Sequence, residues 1–186
     1  DLIINDLTIF STEQVVTLEK NAVVNGDLTL STGELDNNGS ANDKTFTMAS
    51  GSTIRRASGT LSTPPNFAGM VNVDYISTLY HVTTDKEIPA NQTALSNLTL
   101  SGDQGITLGS DIYANGTVSV EGSNIETDEF KVFIRDGGQL IESAGKSVLG
   151  KVSATRNLQQ GVNETFGGVG LEVNAAGSAQ IGRASC

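Results

Sequence analysis

The sequence predicts an all-β parallel solenoid, a β-helix of about 20 residues per coil with almost no helix. Three observations predict it. Short apolar-polar-apolar triplets recur along the chain, Asn-Gly, Gly-Ser and Gly-Gly steps punctuate them, and the chain aligns with itself at an offset of roughly 90 residues.

The triplets set the period. Leu7-Thr8-Ile9, Leu28-Thr29-Leu30 and Phe46-Thr47-Met48 lie about 20 residues apart, with Val16-Thr17-Leu18, Gly33-Glu34-Leu35 and Thr53-Ile54-Arg55 between them. Leu98-Thr99-Leu100, Val118-Ser119-Val120 and Val132-Phe133-Ile134 repeat the series, with Ile106-Thr107-Leu108, Asn124-Ile125 and Leu140-Ile141 intervening. Strands this short do not make the hairpins of an ordinary sandwich, but they fit coils in which each strand stacks in parallel on its equivalent one turn earlier. Alternate side chains of a strand point to opposite faces. On this reading Leu7, Leu28 and Phe46 form one inward ladder and Ile9, Leu30 and Met48 a second. Thr8, Thr29 and Thr47 form an outward polar ladder.

The repeat divides residues 1–186 into two similar units, about 1–91 and 92–186. Asn5-Asp6-Leu7-Thr8-Ile9 aligns with Ser96-Asn97-Leu98-Thr99-Leu100, and Val23-Val24-Asn25-Gly26 with Tyr113-Ala114-Asn115-Gly116. Composition agrees with a thin, elongated core. Hydrophobic residues make up 37% of the chain, mostly small aliphatics, with 5% aromatics and no Trp. Charged residues reach only 17%, against about 25% in average chains, so the surface is neutral-polar.

Net charge is −10, and the 11 Lys and Arg include a single adjacent pair, Arg55-Arg56. Without a basic stripe to neutralise phosphates, nucleic acid is not an expected partner. No apolar run approaches the length of a membrane span, so no membrane insertion is expected. The one cysteine, Cys186, provides neither an internal disulfide nor a metal set and is assigned no role. The chain opens directly in strand pattern at Leu2-Ile3-Ile4 and reads as a mature or excised piece of a longer protein.

The run Asn25-Gly26-Asp27-Leu28-Thr29-Leu30-Ser31-Thr32-Gly33-Glu34-Leu35 resembles the β-strand-rich repeats of very large secreted surface proteins of Bacteroidetes-like bacteria, substrates of type IX secretion. Tyr75 to Pro89, running into Leu95-Ser96-Asn97-Leu98-Thr99-Leu100, resembles that family's link between repeats. Thr165-Phe166-Gly167-Gly168-Val169-Gly170-Leu171-Glu172-Val173 resembles the closing segment of its last repeat. The resemblance implies export to the cell surface or beyond. It carries no catalytic residue.

The search for chemistry yields bland readings. His81 is the only histidine, has no nucleophile motif nearby, and reads as an exposed loop residue. Many β-helix proteins cleave polysaccharides with paired carboxylates. The candidates here, Asp103 with Asp111 and Asp128-Glu129 with Asp136, read instead as solvated turn acids. The oxygen-rich loop Asp36 to Asp43 offers Asp36, Asn38 and Asp43 as a weak calcium set, in a spacing that fits neither an EF-hand nor a Gly-Gly-x-Gly-x-Asp repeat. Sequons at Asn38, Asn91, Asn97, Asn115 and Asn163 are read as products of composition. An ice-binding array of Thr8, Thr29, Thr47, Thr99 and Ser119 would be broken by Phe133, so β-propensity explains those threonines better. No catalytic residue and no cofactor are expected.

The expected function is therefore structural: a rigid spacer or stalk of an extracellular fibre or cell-surface protein, able to associate head-to-tail. Neither end shows a cap, which makes Leu2, Ile4 and Ile181 the candidate self-association edges; the competing reading is that neighbouring domains of the same long chain cover both ends. The alternative is an adhesin segment that binds glycans or surfaces through the loops Asp36 to Asp43 and Pro64 to Asn72. A carbohydrate-active enzyme or an ice-binding protein ranks below both.

Overall fold

A computed structural model describes residues 1–177 and 179–185, with backbone alone for residues 13, 14 and 179–185. Cys186 lies outside the described residues. No described residue is helical. The chain winds as a β-solenoid of about 7 turns, about 21 residues each.

The first coil holds β1 (Leu2–Ile4) and β2 (Leu7–Thr17), and the second β3 (Ala22–Val24) and β4 (Asp27–Asp36). The third holds β5 (Phe46–Met48), β6 (Thr53–Arg56) and β7 (Thr60–Leu61). The fourth holds β8 (Asn66–Phe67), β9 (Val71–Tyr75) and β10 (Val82–Thr83). Then come β11 (Leu95–Leu100) and β12 (Ile106–Thr107), followed by β13 (Ile112–Ala114), β14 (Thr117–Val120) and β15 (Ile125–Glu126). The last full coil holds β16 (Val132–Ile134), β17 (Gln139–Glu142) and β18 (Val148–Leu149). The chain ends in β19 (Val152–Leu158), β20 (Asn163–Thr165), β21 (Glu172–Asn174) and β22 (Ala179–Ser185).

These strands stack on three faces. The first carries β1-β3-β5-β8 and, higher up, β13-β16-β19; the second carries the long run β2-β4-β6-β9-β11-β14-β17. The third carries the far ends of β2 and β4 with β7, then β10-β12-β15-β18. All these pairings are parallel. The core is a single thread of small aliphatics. Leu28, Ile54, Val73, Leu98 and Val118 form one buried ladder through the second face, as the alternation of each strand requires.

Two ladder assignments made from the sequence are corrected. Leu7 and Ile9 do stack on Leu28 and Leu30. Phe46-Thr47-Met48, however, stacks on Ala22-Val23-Val24 of the first face, and Leu28 is followed by Ile54. In the same way Val132-Phe133-Ile134 stacks on Ile112-Tyr113-Ala114, while Val118 is followed by Leu140. The physical reason is that all three faces share one core, so every strand has the same apolar-polar-apolar pattern. The loop of residues 37–45 delays the return to the second face by several residues, and pattern alone does not register this. The outward column on that face consequently runs Thr8, Thr29, Arg55, Asp74, Thr99, Ser119, Ile141. It contains neither Thr47 nor Phe133. The threonine array is interrupted instead by Arg55, placed between Asp27 at 3.7 Å and Asp74 at 3.6 Å.

Leu7 and Leu98, matched by the self-alignment, occupy one ladder four coils apart. The stack passes residue 91 without a break, because β9 pairs directly with β11. The alignment has a local cause at one corner. Asp6 Oδ1 accepts the Asp27 amide at 2.8 Å, and Asn97 Oδ1 accepts the Thr117 amide at 2.8 Å. The preceding residues, Gly26 and Gly116, must be glycine. A Cβ on Gly26 would lie 2.7 Å from the Asn5 carbonyl oxygen, and one on Gly116 would overlap Asn97 Oδ1. An Asx side chain on one coil thus caps the amide at the start of the next coil's strand, and glycine lets the two coils approach.

The upper end differs from the uncapped end expected from sequence. There the chain reverses: β22 pairs antiparallel with β19, and β20 with β21. Gly167 and Gly168, at φ 60° and 83°, turn the chain back over the last coil, where the Gly167 carbonyl accepts the Leu140 amide. Phe166 joins the core at 1% exposure. Ile181 therefore sits in an antiparallel strand rather than on a bare coil, and its side chain lies outside the described residues.

Candidate functional site

The titratable residues singled out from the sequence are dispersed. His81 is exposed, with Nε2 2.7 Å from Thr107 Oγ1. Asp103 precedes β12 and Asp111 follows it, so they occupy different corners. Asp111 accepts the Lys131 amide at 2.9 Å. Asp128 and Glu129 precede β16 and Asp136 follows it, bound to the amide and side chain of Asn157. Neither pair shares a corner. Asp36, Asn38 and Asp43 also point to separate partners: Asp36 to Ser62 and the Asn38 amide, Asn38 to Asn42, and Asp43 to Lys44. The hydrogen bond from Lys44 holds Asp43 below its ordinary value of 3.8. Among the described residues, no group of three or more His, Cys, Asp or Glu is disposed to hold a metal ion.

Of the two loops proposed for an adhesin, the first is tied to the residues just before the second. Buried Asn37 donates to the Thr63 carbonyl at 3.0 Å and accepts the Thr63 amide at 3.0 Å and the Ser62 hydroxyl at 3.0 Å. Part of the second loop is itself strand, in β8 and the start of β9.

The most tightly bound polar cluster was not found from the sequence. Arg55-Arg56 reads there as an adjacent basic pair, yet strand alternation sends the two side chains to opposite sides. Arg55 faces out, whereas Arg56 takes the inward position beside Leu30 and Tyr75. Its Nη1 donates to Glu87 Oε1 at 2.6 Å and the Thr83 carbonyl at 3.0 Å, and its Nε donates to the Gly59 carbonyl at 3.0 Å. The same Glu87 oxygen accepts the Tyr75 hydroxyl at 2.5 Å and the Asp85 amide at 3.0 Å. All three residues are at most 5% exposed. Burial first, and the Glu87 carboxylate second, hold the Tyr75 phenol well above its ordinary 10.0. Through these bonds Glu87 pins the loop after β10 across the core. The period-2 position of Arg56, two residues after inward Ile54, is the sequence signal that marks it.

The surface with the strongest physical signature is the lower end. β1 and β2 are edge strands, each hydrogen-bonded on one side only. Leu2 and Val16 occupy inward columns, below Ala22 and Leu35, but the open end leaves them 48% and 39% exposed. Ile3, Phe10 and Val15 are exposed beside them, whereas Ile4 packs partly against the core. Core-type residues and unpaired strand amides coincide here.

No protein-family model matches this chain, and no match is found among curated proteins or solved structures.

Proposed function

We propose that this chain is a non-catalytic structural element of an extracellular fibre or cell-surface protein, a rigid stalk joined to its neighbour through the lower end of the solenoid. The observation that carries this reading is the continuous parallel stack of the second face, from β2 through β17. At the lower end Leu2 and Val16 stand in inward columns and the β1 and β2 edges lie in line with the stack, a surface that a neighbouring coil, of the same chain or of another copy, would cover. A parallel stack bonded coil to coil along its whole length suits a spacer, since each coil contacts mainly its neighbours and the length extends without a new core. Location outside the cell follows from the resemblance of the Asn25–Leu35 run to secreted surface repeats and belongs to the same proposal.

The covered upper end bears on how copies would associate. Head-to-tail joining pairs the lower end of one copy with the antiparallel cap of the next, a heterologous contact that leads to an open filament. Sedimentation of the 186-residue chain over a wide concentration range is the test. Association that Leu2→Lys/Val16→Lys abolishes supports joining through the first coil. A monomer at every concentration removes self-assembly and leaves the spacer. Association unchanged by the double substitution refutes the first coil as the joining surface.

A further inference from the structure

A second surface lies where the second face turns into the third. A trough of about 620 Å³ opens there across the lower coils, walled by Val15, Thr32, Glu34, Ser58, Thr60 and Tyr80. A smaller hollow of about 240 Å³ adjoins it, sharing Thr32, Ser58 and Tyr80 and reaching Phe10 and Leu79. Each coil turns this corner on small hydroxyl residues, and Ser58 is fixed there by donating its hydroxyl to the Ser31 carbonyl at 3.0 Å. Gly33, at φ 81°, keeps the wall low, because a Cβ would lie 2.7 Å from the Ser11 carbonyl oxygen. The Thr32 hydroxyl, beneath the ridge common to both hollows, has no hydrogen-bond partner.

Two aromatic rings in different coils border these hollows: Tyr80 lines both, and Phe10 lines the smaller. Phe10 is 70% exposed and Tyr80 57%, although neither needs solvent for the fold. Tyr80 is carried by the turn after β9, which its own amide closes by donating to Ser77 Oγ at 3.1 Å. Aromatic faces beside the hydroxyls of Thr32 and Ser58, with one carboxylate on the larger trough, match a ligand with alternating apolar C–H faces and hydroxyl edges. The spacing also agrees. Strands stack about 5 Å apart, close to the length of one pyranose residue, so a trough crossing about three strand spacings accommodates a tri- or tetrasaccharide.

We infer that this corner is a binding site for a neutral oligosaccharide lying along the solenoid axis. Tyr80 and Phe10 stack on sugar faces, and Glu34 and Ser58 hydrogen-bond sugar hydroxyls. Among the described residues Glu34 is the one charged side chain lining either hollow, and with the net charge of −10 it selects against uronic and sulfated sugars. The site borders the first-coil end face and shares Phe10 and Val15 with its margin, while Thr32, Glu34, Ser58 and Tyr80 lie on higher coils.

The test titrates the 186-residue chain with neutral tetrasaccharides (β-1,4-linked glucose, xylose and mannose, and α-1,4-linked glucose), with trigalacturonate as the acidic control. Amide NMR shifts and tyrosine fluorescence, unobscured because the chain has no Trp, report binding. The expected result is millimolar or tighter binding of at least one neutral tetrasaccharide, with shifts at Phe10, Thr32 and Tyr80 and none from trigalacturonate. Tyr80→Ala and Phe10→Ala should each weaken it about tenfold or more, the loss of an aromatic anchor, with thermal midpoints unchanged. Thr32→Val, which keeps the shape, should weaken it less. Absence of binding across the panel overturns the inference, as does equal binding of the acidic sugar or affinity that survives Tyr80→Ala.

Discussion

Replacing Glu87 with Ala removes the acceptor shared by Arg56, Tyr75 and the Asp85 amide. Arg56 would remain 5% exposed in the core, with only the Gly59 and Thr83 carbonyls to hold its charge, and the Tyr75 hydroxyl would lose its partner. Removing one member of a buried ion pair costs about 3–5 kcal/mol, because the partner left behind is an uncompensated charge. Against a domain's usual stability of about 5–15 kcal/mol, that loss is a large fraction of the total. Urea denaturation followed by the strand signal in circular dichroism measures it as a shift in midpoint at constant slope. Glu87→Gln keeps an acceptor for Tyr75 and the Asp85 amide and should fall between wild type and Ala. Arg56→Leu/Glu87→Leu removes both charges and should regain most of the loss, since an apolar pair of similar volume often replaces a buried ion pair at little cost. A Glu87→Ala protein within about 1 kcal/mol of wild type would refute the closed-network argument. So would a double variant as unstable as the single one.

Two further outcomes are expected. Leu28→Asp should prevent folding at ordinary temperature, as an unpaired carboxylate in the fully buried ladder costs several kcal/mol, whereas Thr29→Asp, on the outward column beside Arg55, should shift the thermal midpoint by only a few degrees; equal damage from both would invert the assigned phase. Tyr75 links stability to alkaline pH. Its folded-state pKa is raised, so above pH 10.0 the unfolded chain releases the phenolic proton while the folded chain retains it, and stability present below pH 10.0 declines by about 1.4 kcal/mol per pH unit. Urea melts at several alkaline pH values should show that slope in the wild type and its loss in Tyr75→Phe; parallel slopes would rule the linkage out.

Much of the architecture is legible in the sequence alone. The spacing of Leu7-Thr8-Ile9 and Leu28-Thr29-Leu30 carries the coil length, and the alternation within each triplet carries the inward and outward phase, because a strand has only two sides and one of them must be dry. The self-alignment of Asp6 and Gly26 with Asn97 and Gly116 reflects a corner that needs an Asx acceptor and a residue without Cβ. The oligosaccharide trough was not legible, since Phe10, Thr32, Ser58 and Tyr80 meet only when four coils are stacked.

What the sequence by itself determined is the kind of object: helix-free, parallel, coiled, with a thin aliphatic core. The tertiary structure alone decided which strand lies on which. Phe46-Thr47-Met48 and Thr53-Ile54-Arg55 satisfy the same inward pattern, and only the path of residues 37–45 around the corner assigns one to the first face and the other to the second. It also decided that Arg56 and Glu87 meet inside the core, and that residues 159–174 fold back over the last coil to bury Phe166. Alternation is a local property of the backbone, readable residue by residue. Stacking order, internal ion pairing and end capping depend on contacts between segments some 20 or more residues apart, set by loops whose length tolerates change.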